Sequence, residues 1–205
     1  MLDTPREQEA VEQAPLTLEA LLALGPDARV EVIEGELAEM SPVGILHHLI
    51  AGNIYDPLKL FVTANSLGCV FFDGLLYLMH SEAGGLKNSF VPDVSFIRRA
   101  NLITGWDVTR PYPGAPDLAV EVISPGDDAG KVQAKLRAYL DKGTDEVWIV
   151  YPNTREVYQY RRSADPEVRI YRQGGDALDT SALFPGLALT LDAIFALPDW
   201  AAQKP

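Results

Sequence analysis

The chain of 205 residues is poor in cysteine, in positive charge and in long apolar runs, and each shortage excludes something. Cys69 stands alone, so an intramolecular disulfide and a cysteine-rich zinc site are both ruled out, which suits a reducing compartment. Residues 1–13 are acidic and polar, without the basic and apolar regions of a secretory signal. No apolar stretch is long enough to cross a bilayer. A cytoplasmic protein with no membrane partner is the expectation. Lysine and arginine number 17 against 29 aspartates and glutamates, a net charge of −12. A general nucleic-acid binder shows the opposite balance, because displaced counterions supply most of its non-specific affinity. Three short basic strips interrupt the acidity: Arg98-Arg99, Lys131/Lys135/Arg137 and Arg155/Arg161/Arg162. Scattered surface cations are the ordinary reading of each. The charge therefore opposes tight DNA binding, yet it leaves room for a metal site, which needs clustered carboxylates.

Repeats, Gly/Ser linkers and shifts of composition are also missing, so one domain over 16–198 is expected. A flexible arm over 1–15 would precede it and a short tail over 199–205 would follow. With 47% hydrophobic and 22% charged residues, the chain has ordinary globular composition and enough length to bury a core unaided. Thr17 caps a short helical run that stops at Gly25-Pro26. Residues 29–33 and 36–40 alternate as a hairpin around Glu34-Gly35. Residues 45–64 carry apolar side chains at helical period, and Pro57 predicts a kink or break near Asp56. Strands are expected over 69–72 and 75–78, then over 88–98 with an interruption at Pro92. A Gly- and Pro-rich loop follows over 100–116. The run Leu118–Ile123, a helix over 127–142 closed by Gly143, and the run Glu146–Tyr151 form a strand–helix–strand unit. That unit is long enough for a parallel crossover at the centre of the fold. Hairpin strands over 156–160 and 169–171 and an apolar helix over 191–197 complete the chain. The order implies an α/β mixed sheet with helices packed on it.

Glu121 is the most informative residue. It is the lone carboxylate among Leu118, Val120, Val122 and Ile123, and burying it is costly unless a partner or a cation balances its charge. An edge strand with Glu121 turned to water is the alternative. Asp93 stands between Phe90-Val91-Pro92 and Val94-Ser95-Phe96, where a proline-induced turn would explain it equally well. Together the two offer the oxygen ligands that a hard divalent cation such as Mg²⁺ prefers. Lys135 lies in the helix after the Glu121 strand, with Lys131 and Tyr139 on the same face at i−4 and i+4. An amine there could orient or help deprotonate the attacking water, or offset charge on a phosphate, although a helix lysine is ordinarily just solvated.

The segments Val91–Phe96, Pro116–Pro125, Lys135–Tyr139 and Gly143–Pro152 stand in a characteristic order. They are joined upstream by Arg29–Leu37, Met40-Ser41-Pro42 and His47, and downstream by Phe184–Leu187 and Ile194-Phe195. In this the chain resembles a large bacterial family of predicted restriction endonucleases within the PD-(D/E)XK nuclease superfamily, over about residues 16–197. The resemblance implies a restriction-endonuclease-like core with Asp93 and Glu121 as ligands of Mg²⁺ or Mn²⁺. The superfamily lysine two residues beyond the glutamate is replaced here by Ile123, and the resemblance implies that Lys135 supplies the amine instead. It also points to Glu31, in the first hairpin, and to His47 as further site residues. A surface carboxylate and a structural histidine are the alternatives for those two. Trp148 reads as core.

The resulting expectation is metal-dependent hydrolysis of DNA phosphodiester bonds by Asp93, Glu121 and Lys135, with Glu31 and His47 assisting. A nuclease fold that no longer cuts and serves as an interaction module is the competing reading, which the acidity keeps open. By analogy with the superfamily a homodimer is expected, with the hairpin over 146–160 as a candidate contact.

Overall fold

The computed structural model describes residues 16–25, 28–80, 85–163, 167–172 and 174–202. The expected arm over 1–15 and the end of the expected tail, residues 203–205, lie outside the described residues. The helix α1, Leu18–Leu22, begins where the Thr17 hydroxyl accepts the Ala20 N–H at 3.1 Å. The strands β1 (Val30–Ile33) and β2 (Glu36–Glu39) form the expected hairpin. The long helix α2 follows over Ile45–Ala64, then β3 (Gly68–Phe72) and β4 (Tyr77–His80).

The stretch expected as one interrupted strand over 88–98 is two strands, β5 (Leu86–Phe90) and β6 (Val94–Arg98), and they belong to different sheets. Pro92 supplies no backbone donor and disfavours continuation of the ladder, so the chain leaves one sheet and enters the other there. The expected loop over 100–116 holds a 3₁₀ turn, Arg99–Asn101, and a two-residue strand, β7 (Tyr112–Pro113). The crossover unit is as read: β8 (Leu118–Val122), α3 (Ala129–Asp141) and β9 (Glu146–Tyr151), with β8 and β9 parallel. Asp128 caps α3 by accepting the Lys131 N–H at 2.9 Å, and Gly143 leaves the helix with φ +105°. The strands β10 (Glu156–Arg161) and β11 (Glu167–Tyr171) extend the sheet. The last expected helix is shorter than its apolar run: α4 covers Leu191–Ile194, and α5, Asp199–Ala202, stands apart.

Among the described residues the single mixed sheet expected from the sequence is two sheets, ordered β2-β1-β5-β4-β7 and β11-β10-β9-β8-β6-β3. In the six-stranded sheet β8 and β9 are central, and alternation sorts their side chains. Leu118, Val120 and Val122 face the α2 side with Trp148 and Val150, whereas Ala119, Val147 and Ile149 face the α3 side with Leu136 and Tyr139. Tyr77, Met79 and Phe90 of the five-stranded sheet join this second cluster, so that sheet and α3 share one face. Trp148 is fully buried, as expected of a core residue.

Pro57 does not break α2, which runs through it as one helix of 20 residues. The reason is packing. Ile50, Ile54, Leu58 and Val62 form a continuous buried stripe on both sides of the proline, and burying them outweighs one missing backbone bond.

Candidate active site

The parity of β8 that sends Val120 and Val122 towards α2 sends Glu121 the other way, beneath α3. There Lys135 and Tyr139, one turn apart on the helix, reach back to it. The Lys135 ammonium donates to Glu121 Oε2 at 2.7 Å, and the Tyr139 hydroxyl donates to Glu121 Oε1 at 2.8 Å. The ammonium also donates to Glu31 Oε1 at 2.9 Å, and that oxygen accepts the Val91 N–H at 2.8 Å. Glu31 is thereby fixed from two sides, and it is 7% exposed rather than a surface strand carboxylate.

Asp93 sits in the bend between β5 and β6, so the proline turn and the site are the same feature. The antiparallel ladder of β6 and β8 ends at Val94 opposite Val120. Beyond it, among the described residues, the Val122 N–H has no strand partner on that side, and Asp93 Oδ2 accepts it at 2.7 Å. His47, in the first turn of α2, places Nε2 3.2 Å from the same Oδ2. It is a buried residue on the helix wall facing the site. Glu31, His47, Asp93, Glu121 and Lys135 all line one cavity of about 200 Å³, whose walls also include Asp127, Asp128 and Lys131. The structure thus brings together all five residues singled out in the sequence. Tyr139 was visible there only as a neighbour of Lys135 at i+4. The amide donors of Val91 and Val122 carry no side-chain signature at all.

The electrostatics of the cavity are unbalanced. Burial pushes the Glu121 carboxyl up to about 7, helped by Glu31 and Asp93 and only partly opposed by Lys135. Burial penalises the Lys135 ammonium, yet Glu121 and Glu31 outweigh it and hold the amine protonated well above its usual range. Burial, with the charges of Glu121 and Glu31, likewise keeps the Tyr139 phenol protonated, so it acts as a donor. For His47 burial works against the cation, but Asp93 overcomes it and raises the imidazole above its ordinary value.

The carboxyl groups of Glu31, Asp93 and Glu121, with Asp127 and Asp128 on the same walls, outnumber the amines of Lys131 and Lys135, and a site with this excess of acidic oxygen fits a hard divalent cation. Among the described residues no three His, Cys, Asp or Glu side chains converge as a ready-made metal cage. The fit is to an ion held by two carboxylates, with its other positions taken by water or substrate oxygens.

A family model described as "Uma2: Putative restriction endonuclease" matches residues 15–192. Among solved structures, a protein from Anabaena variabilis described as a putative nuclease belonging to DUF820 superposes with a TM-score of 0.74. It shares 22% sequence identity, and the match covers 88% of this chain and 98% of that one. A search of curated proteins finds no match. The fold is thus that of a nuclease-like protein with two mixed sheets.

Proposed function

Because the chain belongs to the Uma2 family, we propose that it is a metal-dependent endonuclease that hydrolyses DNA phosphodiester bonds at the Glu121 cavity. The observation that carries this reading is the Lys135 ammonium bridging Glu31 and Glu121 in the same cavity as Asp93. Asp93 and Glu121 would hold Mg²⁺ or Mn²⁺, which supplies Lewis-acid polarisation of the phosphate and a bound water of lowered pKa.

The protein's own groups define the rest. Lys135 is an ammonium, so it donates hydrogen bonds and fixed positive charge to a phosphate oxygen rather than accepting a proton. Tyr139 holds the other oxygen of Glu121 and so fixes the carboxylate's orientation. Glu31 anchors Lys135, and Val91 anchors Glu31. His47 and the Val122 amide hold Asp93 from two directions. Each ligand is thus positioned by a second group, as metal sites generally require.

The test is nicking of supercoiled plasmid in Mg²⁺ or Mn²⁺, with calorimetric titration of the metal alongside. Asp93→Ala should lose metal binding and reduce cutting by at least about 100-fold, since even outer partners of metal ligands are worth 10–100-fold. Metal binding by the native chain without cutting of any DNA would instead leave a nuclease fold that serves as an interaction module.

A further inference from the structure

A row of rings leads away from the cavity along the outer side of α2. It starts at His47, which touches Asp93. The His48 ring stands edge-on to it, with centroids 5.8 Å apart and planes at 81°. Phe72 follows, 6.3 Å from His48 at 37°, and then Tyr55, 5.1 Å from Phe72. At the far end the Lys59 ammonium lies 5.2 Å from the centroid of Tyr55. His48, Tyr55 and Lys59 are spaced i, i+7 and i+11, which keeps them on one face of the helix. Phe72, the last residue of β3 and the middle ring of the row, is held by its backbone: it pairs with Val94, and the Asp73 N–H bonds the Asp93 carbonyl at 2.9 Å. Tyr55 and Phe72 are half-buried, each resting one side on the core, whereas His48 and Lys59 are exposed.

We propose that this row is a stacking track for a nucleic-acid strand with unpaired bases, feeding its backbone to the Asp93 end of the cavity. The proposal rests on the nuclease reading and gives it a substrate form. A duplex hides the faces of its bases, so rings of this kind have nothing to stack on there. An acidic chain is also badly placed to bind duplex through its phosphates. Base stacking is tolerant of sequence and needs little positive charge, and each stacked base is worth about 1–3 kcal/mol, or roughly 5- to 150-fold. The Lys59 ammonium adds one cation at the outer end, with Asp56 within its electrostatic reach.

The test is fluorescence anisotropy with labelled oligothymidylate and with a blunt duplex of equal length, in EDTA so that nothing is cut. The single strand should bind at least about tenfold more tightly than the duplex, and His48→Ala and Tyr55→Leu should each weaken it by about tenfold. The duplex value should not move. His48 and Lys59 are exposed, so His48→Ala and Lys59→Ala keep the test decisive even where Tyr55→Leu loosens the packing. Equal affinity for the two forms, or single-strand binding unchanged in His48→Ala, overturns the proposal. Both DNAs are then incubated with Mg²⁺. Selective single-strand binding with no cutting of either DNA supports the track and removes the nuclease reading. Duplex cutting unchanged in His48→Ala, with no preference for the single strand, removes the track and leaves the nuclease.

Discussion

At Glu121 stability and chemistry conflict, and pH exposes the conflict. In the unfolded chain this carboxyl ionises at the ordinary 4.5, whereas in the fold it keeps its proton up to about 7. Between those values the unfolded state binds fewer protons than the folded one, so stability falls as pH rises through the window. Glu121→Gln preserves the shape, and its amide still accepts from Lys135. It should flatten that decline and stabilise the metal-free protein by on the order of 1–3 kcal/mol above pH 7. Metal affinity and cutting should drop in the same variant. Thermal denaturation across pH in EDTA checks the first outcome, and a variant whose stability declines with pH as steeply as the native chain would contradict the assignment. The carboxylate itself was legible in the sequence, because a lone acid in an apolar strand has no ordinary use. Its orientation was not, since an edge strand with Glu121 in water fits the same pattern.

At the scale of the element, β3 depends on a close approach that only glycine permits. Gly68 has φ +155° and pairs with Arg98, and a Cβ there would lie 2.0 Å from the Ile97 carbonyl oxygen. Gly68→Ala should therefore destabilise the protein by more than about 1 kcal/mol, read as a lower Tm, because both the dihedral and the space are wrong for a side chain. A Tm within a degree of the native value would show that the strand can shift to make room. The elements that carry strong local signals, the β1–β2 hairpin and the crossover from β8 to β9, were readable to within a residue or two. The break that Pro57 suggests does not occur, because a helix is decided by its whole buried stripe and tertiary packing there overrides one local defect. The split of residues 88–98 into β5 and β6 was half visible in Pro92. The proline marks an interruption, but nothing local says that the chain changes sheets there.

At the scale of the molecule, the three candidate basic strips are largely committed within the fold. Arg98 pairs with Asp117 and Asp145, Arg161 with Glu146 and Asp179, and Arg162 with Asp145. That commitment leaves the acidic surface as the sequence described it. The proposed track for that reason draws on rings rather than on those cations. The homodimer expected by analogy needs an interface, and the hairpin of β9 and β10 offers no open backbone edge, because β8 and β11 pair on either side of it. Among the described residues β11 is one of the two edge strands of that sheet, and it exposes Val168 and Ile170 opposite Tyr160 and Tyr158. We predict association through that edge. Light scattering should give twice the 22.4 kDa chain mass, and Ile170→Lys should return it to one chain. A single-chain mass for the native protein would remove the dimer.

The sequence by itself determined the family, the mixed α/β character and the identity of the acidic and basic groups worth following, because order along the chain and local periodicity carry that information. The tertiary structure alone decided that Glu31 and His47 turn inward, that Tyr139 and two backbone amides brace the carboxylates, and that the rings of α2 and β3 line up beside them. Those are contacts between segments distant along the chain, fixed by strand register and by which face of a sheet is buried. No local pattern encodes either.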